Sequence, residues 1–154
     1  MAIDLPHALR SQCDDIAVWC ACANLRKAAR ALTQEYDAAM RSSGLRATQL
    51  TLLVAVVSAD GQPMTVVGRA LGMDRTTLTR NLRPLQRAGL VRVDASEEDA
   101  RRKVLRLTPK GARTLAAAVP RWARVQANVI ARIGRRRWSA LRRELDRLTA
   151  AAGE

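Results

Sequence analysis

The stretch Val67-Gly68-Arg69-Ala70-Leu71-Gly72-Met73-Asp74-Arg75-Thr76-Thr77-Leu78-Thr79-Arg80-Asn81-Leu82-Arg83-Pro84-Leu85-Gln86-Arg87-Ala88-Gly89 decides the fold. Thr65 is expected to cap a short helix that reaches Leu71 and is closed by Gly72. Asp74 is expected to cap a second, over residues 75–88, closed by Gly89. At about 100° per residue, Leu78, Leu82 and Leu85 share one face of the second helix and must pack inward. Thr76, Arg80, Arg83 and Arg87 point the other way, flanked by Arg75, Thr77 and Thr79. Arginines and hydroxyls on an outward face at a capped helix N-terminus suit a DNA major groove. A guanidinium can grip guanine O6 and N7 or a phosphate with two hydrogen bonds, and Thr can touch a phosphate or a thymine methyl. The plain alternative is an amphipathic surface helix with a solvated basic face.

The residues that follow favour the groove. Residues 90–93 and 103–107 alternate in character and read as two strands of a hairpin with a charged tip between them. At that tip Glu97-Glu98-Asp99 directly precedes Arg101-Arg102-Lys103. Acids are unwelcome beside phosphate, so Asp99 is expected to orient Arg101 by a charge-assisted hydrogen bond, and an arginine held in this way can enter a minor groove. Two short helices with a tight turn and then a hairpin describe a winged helix-turn-helix, within a fold that is mainly α.

Outward from this centre the chain is helical. A helix is expected over residues 13–41, ended by Ser42-Ser43-Gly44, and a largely apolar one over residues 47–58. Pro109 opens a long helix whose Leu115, Val119, Trp122, Gln126, Val129 and Ile133 alternate by four and three, a seam for another helix. Gly134 interrupts it, and Trp138, Leu141, Leu145 and Leu148 stripe a last helix.

Charge is zoned in the same way. The 154 residues hold 27 Lys and Arg against 14 Asp and Glu, for a net +13. Residues 1–60 carry 6 basic and 6 acidic groups, residues 61–113 carry 12 and 5, and residues 114–154 carry 9 and 3. The excess begins where the helix-turn-helix begins, and it points to a polyanion, most simply nucleic acid. No apolar run reaches membrane length, and the N-terminus does not read as a secretory signal. Three cysteines cannot all pair within one chain, which fits a reducing cytoplasm. The only histidine is His7, and there is no G-x-S-x-G, no H-E-x-x-H and no phosphate-cradling glycine loop, so no enzyme is expected. No cofactor or metal is expected either.

The spaced motifs in residues 67–80, Arg87-Ala88-Gly89-Leu90-Val91, Glu98-Asp99-Ala100-Arg101 and Leu107-Thr108-Pro109-Lys110-Gly111 resemble the MarR (multiple-antibiotic-resistance regulator) family. The resemblance implies one MarR-type domain over residues 1–154. Residues 1–44 and 109–154 would form the dimerisation helices, and residues 45–108 the winged helix-turn-helix lobe. It further implies a homodimer on a near-palindromic double-stranded DNA operator, repressing transcription until an effector releases it. The recognition role would fall on Arg75, Thr76, Thr77, Thr79, Arg80 and Arg83, and the wing role on Asp99, Arg101 and Arg102. A non-specific architectural nucleic-acid binder is the competing function. Three positions depart from the family pattern. Gly68 stands where alanine is usual, Arg46 stands where a Ser or Thr cap of the following helix is expected, and Pro84 removes the hydrogen bond to the Arg80 carbonyl. Pro84 should bend the helix, which confines base contacts to positions up to Arg83.

Cys13, Cys20 and Cys22 fall at the start of the first long helix. On a continuous helix, residues two apart lie about 200° apart and can share neither a metal nor a disulfide. One reading is three small hydrophobes at a dimer interface. The other follows from a resemblance to the hydroperoxide-sensing, OhrR-like branch, in which Cys22 matches the reactive cysteine and Tyr36 a tyrosine that steadies its oxidised form. Arg26 replaces that branch's second tyrosine, and a nearby guanidinium favours thiolate. An effector would sit between the dimer helices and the DNA-binding lobe, with Trp19 and Trp122 as lining residues.

Overall fold

In the computed structural model, residues 5–59, 61–96 and 101–151 are described. The elements run α1 (His7–Trp19), α2 (Ala21–Met40), a 3-10 turn (Arg41–Ser43), α3 (Ala47–Ala59), α4 (Met64–Ala70), α5 (Arg75–Arg87), β1 (Val91–Ala95), β2 (Lys103–Leu107), α6 (Pro109–Ile133) and α7 (Arg135–Ala151). The fold is therefore helical with one two-stranded antiparallel hairpin, as expected. It divides into two compact units, Met1–Glu35 and Tyr36–Glu154.

In the first unit the expected single helix is interrupted. Cys20 adopts φ −64°, ψ 109°, an extended backbone between the end of α1 and the start of α2. Asn24 closes the gap, because its side-chain amide donates to the Val18 carbonyl at 2.9 Å and to the Cys20 carbonyl at 3.1 Å. The Val18 carbonyl lost its helical partner at the break and Asn24 satisfies it, while the Cys20 carbonyl keeps the Asn24 backbone N–H at 3.0 Å as well. The leading helix starts at His7 after Pro6, without a side-chain cap.

The second unit is built around α3. Leu50, Leu52, Leu53 and Val56 are buried among Met40, Val67, the inward leucines of α5, and Val91 and Leu105 of the hairpin. Arg46 cannot cap α3, and another side chain does so. Asp37 Oδ1 accepts the Ala47 N–H at 2.6 Å, while Gln49 accepts the Arg46 N–H at 2.9 Å. The α3 N-terminus is thus satisfied partly by a residue ten positions upstream. Thr65 is not the cap of α4. The helix starts two residues earlier than that cap would set, at Met64 after Pro63, whose locked φ of −53° presets the first turn and whose carbonyl accepts the Val66 N–H at 2.8 Å.

The α6 seam faces both ways. Ala118, Val125 and Val129 are buried within the unit, whereas Val119 and Trp122 remain exposed. No residue of α7 is buried.

Candidate nucleic-acid interface

Helix α5 is fixed at both ends. The Asp74 Oδ1 accepts the Thr77 N–H at 2.7 Å and its Oδ2 accepts the Thr77 hydroxyl at 3.1 Å. These donors, the backbone N–H of Thr77 first, hold the Asp74 carboxyl below the usual carboxylate range. At the other end Gly89 takes φ +68°, and the Leu90 N–H reaches back to the Leu85 carbonyl at 2.9 Å. Leu78, Leu82 and Leu85 are fully buried, and this orients the rest of the helix. Arg75, Thr76, Arg80, Arg83 and Arg87 are exposed along the opposite side. Thr77 and Thr79 are half-buried. The Thr77 proton is committed to Asp74, and the Thr79 hydroxyl donates to the Arg75 carbonyl at 2.7 Å. Thr76 is therefore the outward-facing threonine of this turn. The helix continues through Pro84 to Arg87.

The hairpin pairs Val91 with Leu107, Val93 with Leu105 and Ala95 with Lys103, and the Ser96 N–H extends the ladder to the Arg102 carbonyl at 2.8 Å. Arg101 and Arg102 are exposed at its end. Asp99 lies outside the described residues. Along the strands Asp94 sits between two guanidiniums, 3.2 Å from Arg92 Nε and 3.5 Å from Arg106 Nε. Period-two spacing puts Arg92 and Asp94 on one face, and Arg106 stands opposite Arg92 in the register. That triad was readable only once the strand register was fixed. Pro63 bridges to Val104 on the far side of β2, which ties the wing to the start of α4.

Between α4, the start of α5 and β2 lies a cleft of about 650 Å³. Arg69, Arg75, Arg101, Arg102 and Lys103 line it. Arg69 and Lys103 were not singled out from sequence. Neither lies on the outward face of α5, and only the tertiary fold brings them beside it.

The chain also ties α5 to α6. The Thr108 hydroxyl donates to the Gly89 carbonyl at 2.7 Å and accepts the Gly111 N–H at 2.9 Å, capping α6. Lys110 Nζ donates to the Ala88 carbonyl at 2.8 Å.

A model of the MarR family matches residues 43–102. The transcriptional regulator MosR of M. tuberculosis, solved in complex with DNA, is 46% identical, with 87% of this chain and 96% of that chain covered and a TM-score of 0.79. The chain belongs to the MarR family. Two further MarR-type structures are similar. The transcriptional repressor CouR, bound to a 23-mer DNA duplex, is 26% identical over 83% of this chain and 91% of that one, with a TM-score of 0.74; another CouR structure is from Rhodococcus jostii RHA1. The PcaV transcriptional regulator of Streptomyces coelicolor, in complex with its natural ligand, is 25% identical over 100% of this chain and 99% of that one, with a TM-score of 0.75. No curated protein matches the sequence.

The remaining residues of interest in this MarR-family chain are not among those that line the cleft. In the first unit Cys13 and Cys22 are exposed thiols and Cys20 is half-buried at the helix break. Trp19 is 80% exposed, and Arg26 is exposed on α2. In the second unit the Tyr36 hydroxyl donates to Gln126 Oε1 of α6. Trp122, Gln126, Ile130 and Arg135 contribute to a cleft of about 500 Å³ at the α6–α7 junction. Among the described residues no group of three or more His, Cys, Asp or Glu is placed to hold a metal ion, and no helix is long and apolar enough to cross a membrane.

Proposed function

We propose that this MarR-family protein is a sequence-specific DNA-binding transcriptional regulator. It acts in the cytoplasm as a homodimeric repressor of a near-palindromic operator and has no catalytic role. The observation that carries this reading is α5, capped by Asp74, seated on three buried leucines and presenting Arg75, Thr76, Arg80 and Arg83 beside a basic hairpin. Residues 45–108 form the DNA-binding lobe, with Asp99, Arg101 and Arg102 serving the wing and Thr77 and Thr79 steadying the recognition helix. Residues 1–44 and 109–154 form the dimerisation layer. Ile16, Val18, Trp19 and Leu25, and Val119, Trp122, Leu141 and Leu148, are all left exposed on the single chain. Such surface is covered in a dimer. The crystallised relatives MosR and CouR carry DNA, and PcaV carries a ligand. A small-molecule effector accordingly releases this protein from its operator.

The test is a titration of the DNA upstream of its own gene against scrambled duplex at physiological salt. Equal affinities would exclude the operator reading and leave a non-specific architectural binder. Arg80→Ala should reduce discrimination between the two duplexes, and Arg101→Ala should weaken both more evenly. If both variants bind like the parent, the docking is wrong.

A second release mechanism, oxidation or modification of Cys22 assisted by Arg26 and by Cys20 and Cys13, is favoured by one specific observation. The helix breaks at Cys20, so Cys20 and Cys22 are not held on opposite sides of a continuous helix. Operator release by an organic hydroperoxide is compared in the parent and in Cys22→Ser. Release that survives the substitution, or that occurs in neither, excludes Cys22 as the switch.

A further inference from the structure

A helix in the major groove and an arginine in the adjoining minor groove are separated by one sugar–phosphate strand, which must pass between the two protein elements. In this chain the space between those elements is the cleft of about 650 Å³. Its rim carries Arg69 from α4 and Lys103 from β2, both exposed, together with cations of α5 and the wing. Its floor is apolar, formed by Met73, Leu78 and the bare backbone of Gly68. Among the described residues that line it there is no carboxylate. A nucleic-acid strand has the matching pattern, with anionic phosphates along its edge and apolar deoxyribose faces between them.

We infer that this cleft is the seat of one DNA strand, with Arg69 and Lys103 as phosphate-holding residues beside the base-reading helix. The inference rests on the DNA-binding reading above and deepens it. Gly68 is part of the seat. A Cβ there would stand 3.0 Å from the Met73 carbonyl oxygen and 3.5 Å from a Leu78 methyl, so the glycine lets α4 pack closely against the turn and helix α5 that underlie the cleft. Arg69 and Lys103 hold the strand and carry no sequence information, because every nucleotide presents the same phosphate.

The experiment measures affinity of the full chain for its upstream DNA and for scrambled duplex from about 50 to 200 mM salt. The parent is compared with the double variant Arg69→Gln, Lys103→Gln, which keeps much of the aliphatic stems. The control is Arg136→Gln, Arg143→Gln on α7, which removes the same charge from an exposed helix elsewhere. The salt slope of the cleft variant should be shallower by about 0.9 for each lost phosphate contact, roughly 3–4 for the four sites of a dimer. Its operator-to-scrambled ratio should stay near the parent's, and the control should keep the parental slope. A parental slope in the cleft variant, or an equal flattening in the α7 control, would overturn the strand seat. Arg69→Lys with Lys103→Arg keeps both charges and should restore the slope; failure of this pair to do so in a folded protein also counts against the seat. A parent that does not prefer its own upstream DNA defeats the operator reading instead, and the slope difference then still reports whether the cleft holds phosphate.

Discussion

The backbone of Gly111 lies so close to Leu90 that a Cβ on Gly111 would stand 2.0 Å from the Leu90 carbonyl oxygen and 2.8 Å from a methyl of Leu107. The same Leu90 carbonyl accepts the Thr108 N–H at 3.1 Å, so it cannot swing away without losing a partner. Gly111→Ala must therefore move backbone against backbone where α6 meets the hairpin. The expected cost is about 1–3 kcal/mol or more, read as a lower urea midpoint with an unchanged denaturant slope. Gly72→Ala is the comparison. Gly72 has φ +61° with nothing within 4 Å of the added methyl, so only the left-handed backbone strain of roughly 1–2 kcal/mol applies.

The Asp74 cap makes stability depend on acid. Hydrogen bonds from Thr77 favour the carboxylate, so the folded value lies below that of the unfolded chain, about 3.9. Between the two values the unfolded state binds more protons. The stabilisation is therefore complete above the unfolded value and is lost as pH falls through the folded one. Asp74→Asn, which keeps an acceptor but no charge, should melt below the parent at neutral pH, and the gap should narrow as pH falls below the unfolded value. A gap independent of pH would show that the charge contributes nothing.

Leu82 is 1% exposed in the middle of the inward face of α5. Leu82→Ala should cost about 2–5 kcal/mol and reduce operator affinity through partial unfolding. Affinity should recover on cooling or with stabilising osmolyte, which distinguishes it from loss of an outward arginine.

Asp37 supplies the cap that Arg46 cannot. Asp37→Ala should destabilise by about 1 kcal/mol, whereas Asp37→Asn, which retains an acceptor, should cost less. Equal losses in the two variants by thermal melting would mean that the cap is not the reason.

Trp19 is the most exposed large apolar side chain among the described residues of the first unit. If it anchors the dimer, Trp19→Ala should raise the dimer dissociation constant at least about 30-fold, measured by sedimentation, without loss of helicity. An unchanged constant would place the interface elsewhere.

What the sequence made legible was local. Asp74 and Gly89 mark the ends of α5, and Gly72 the end of the helix before it, because capping and left-handed turns act within a few residues. Two short apolar runs, each interrupted by one arginine, placed both strands, although β1 starts one residue later than expected and extends to Ala95. The break at Cys20 escaped because the apolar period of α1 runs on into α2, and the residue that stabilises the gap, Asn24, looks like any polar helix residue. Thr65 was a plausible cap by type, but Pro63 had already set the backbone. The cleft cations Arg69 and Lys103, the Asp94 pairing and the Asp37 cap depend on contacts between residues far apart in sequence or on strand register. Propensity carries no information about those.

The clasp of Thr108 on Gly89 and Lys110 on Ala88 grips α5 at its C-terminal end, while the residues proposed to read bases lie towards the other end. A 13-residue helix is about 20 Å long, and α5 is also seated along that length on Leu78, Leu82 and Leu85. A turn of about 5° passed on through the clasp would have to carry those leucines with it, and would displace the Asp74 end by roughly 1.7 Å. The clasp and the leucines together therefore tie the position of α5 to that of α6 and the core, so that the outward face is set by the packing behind it.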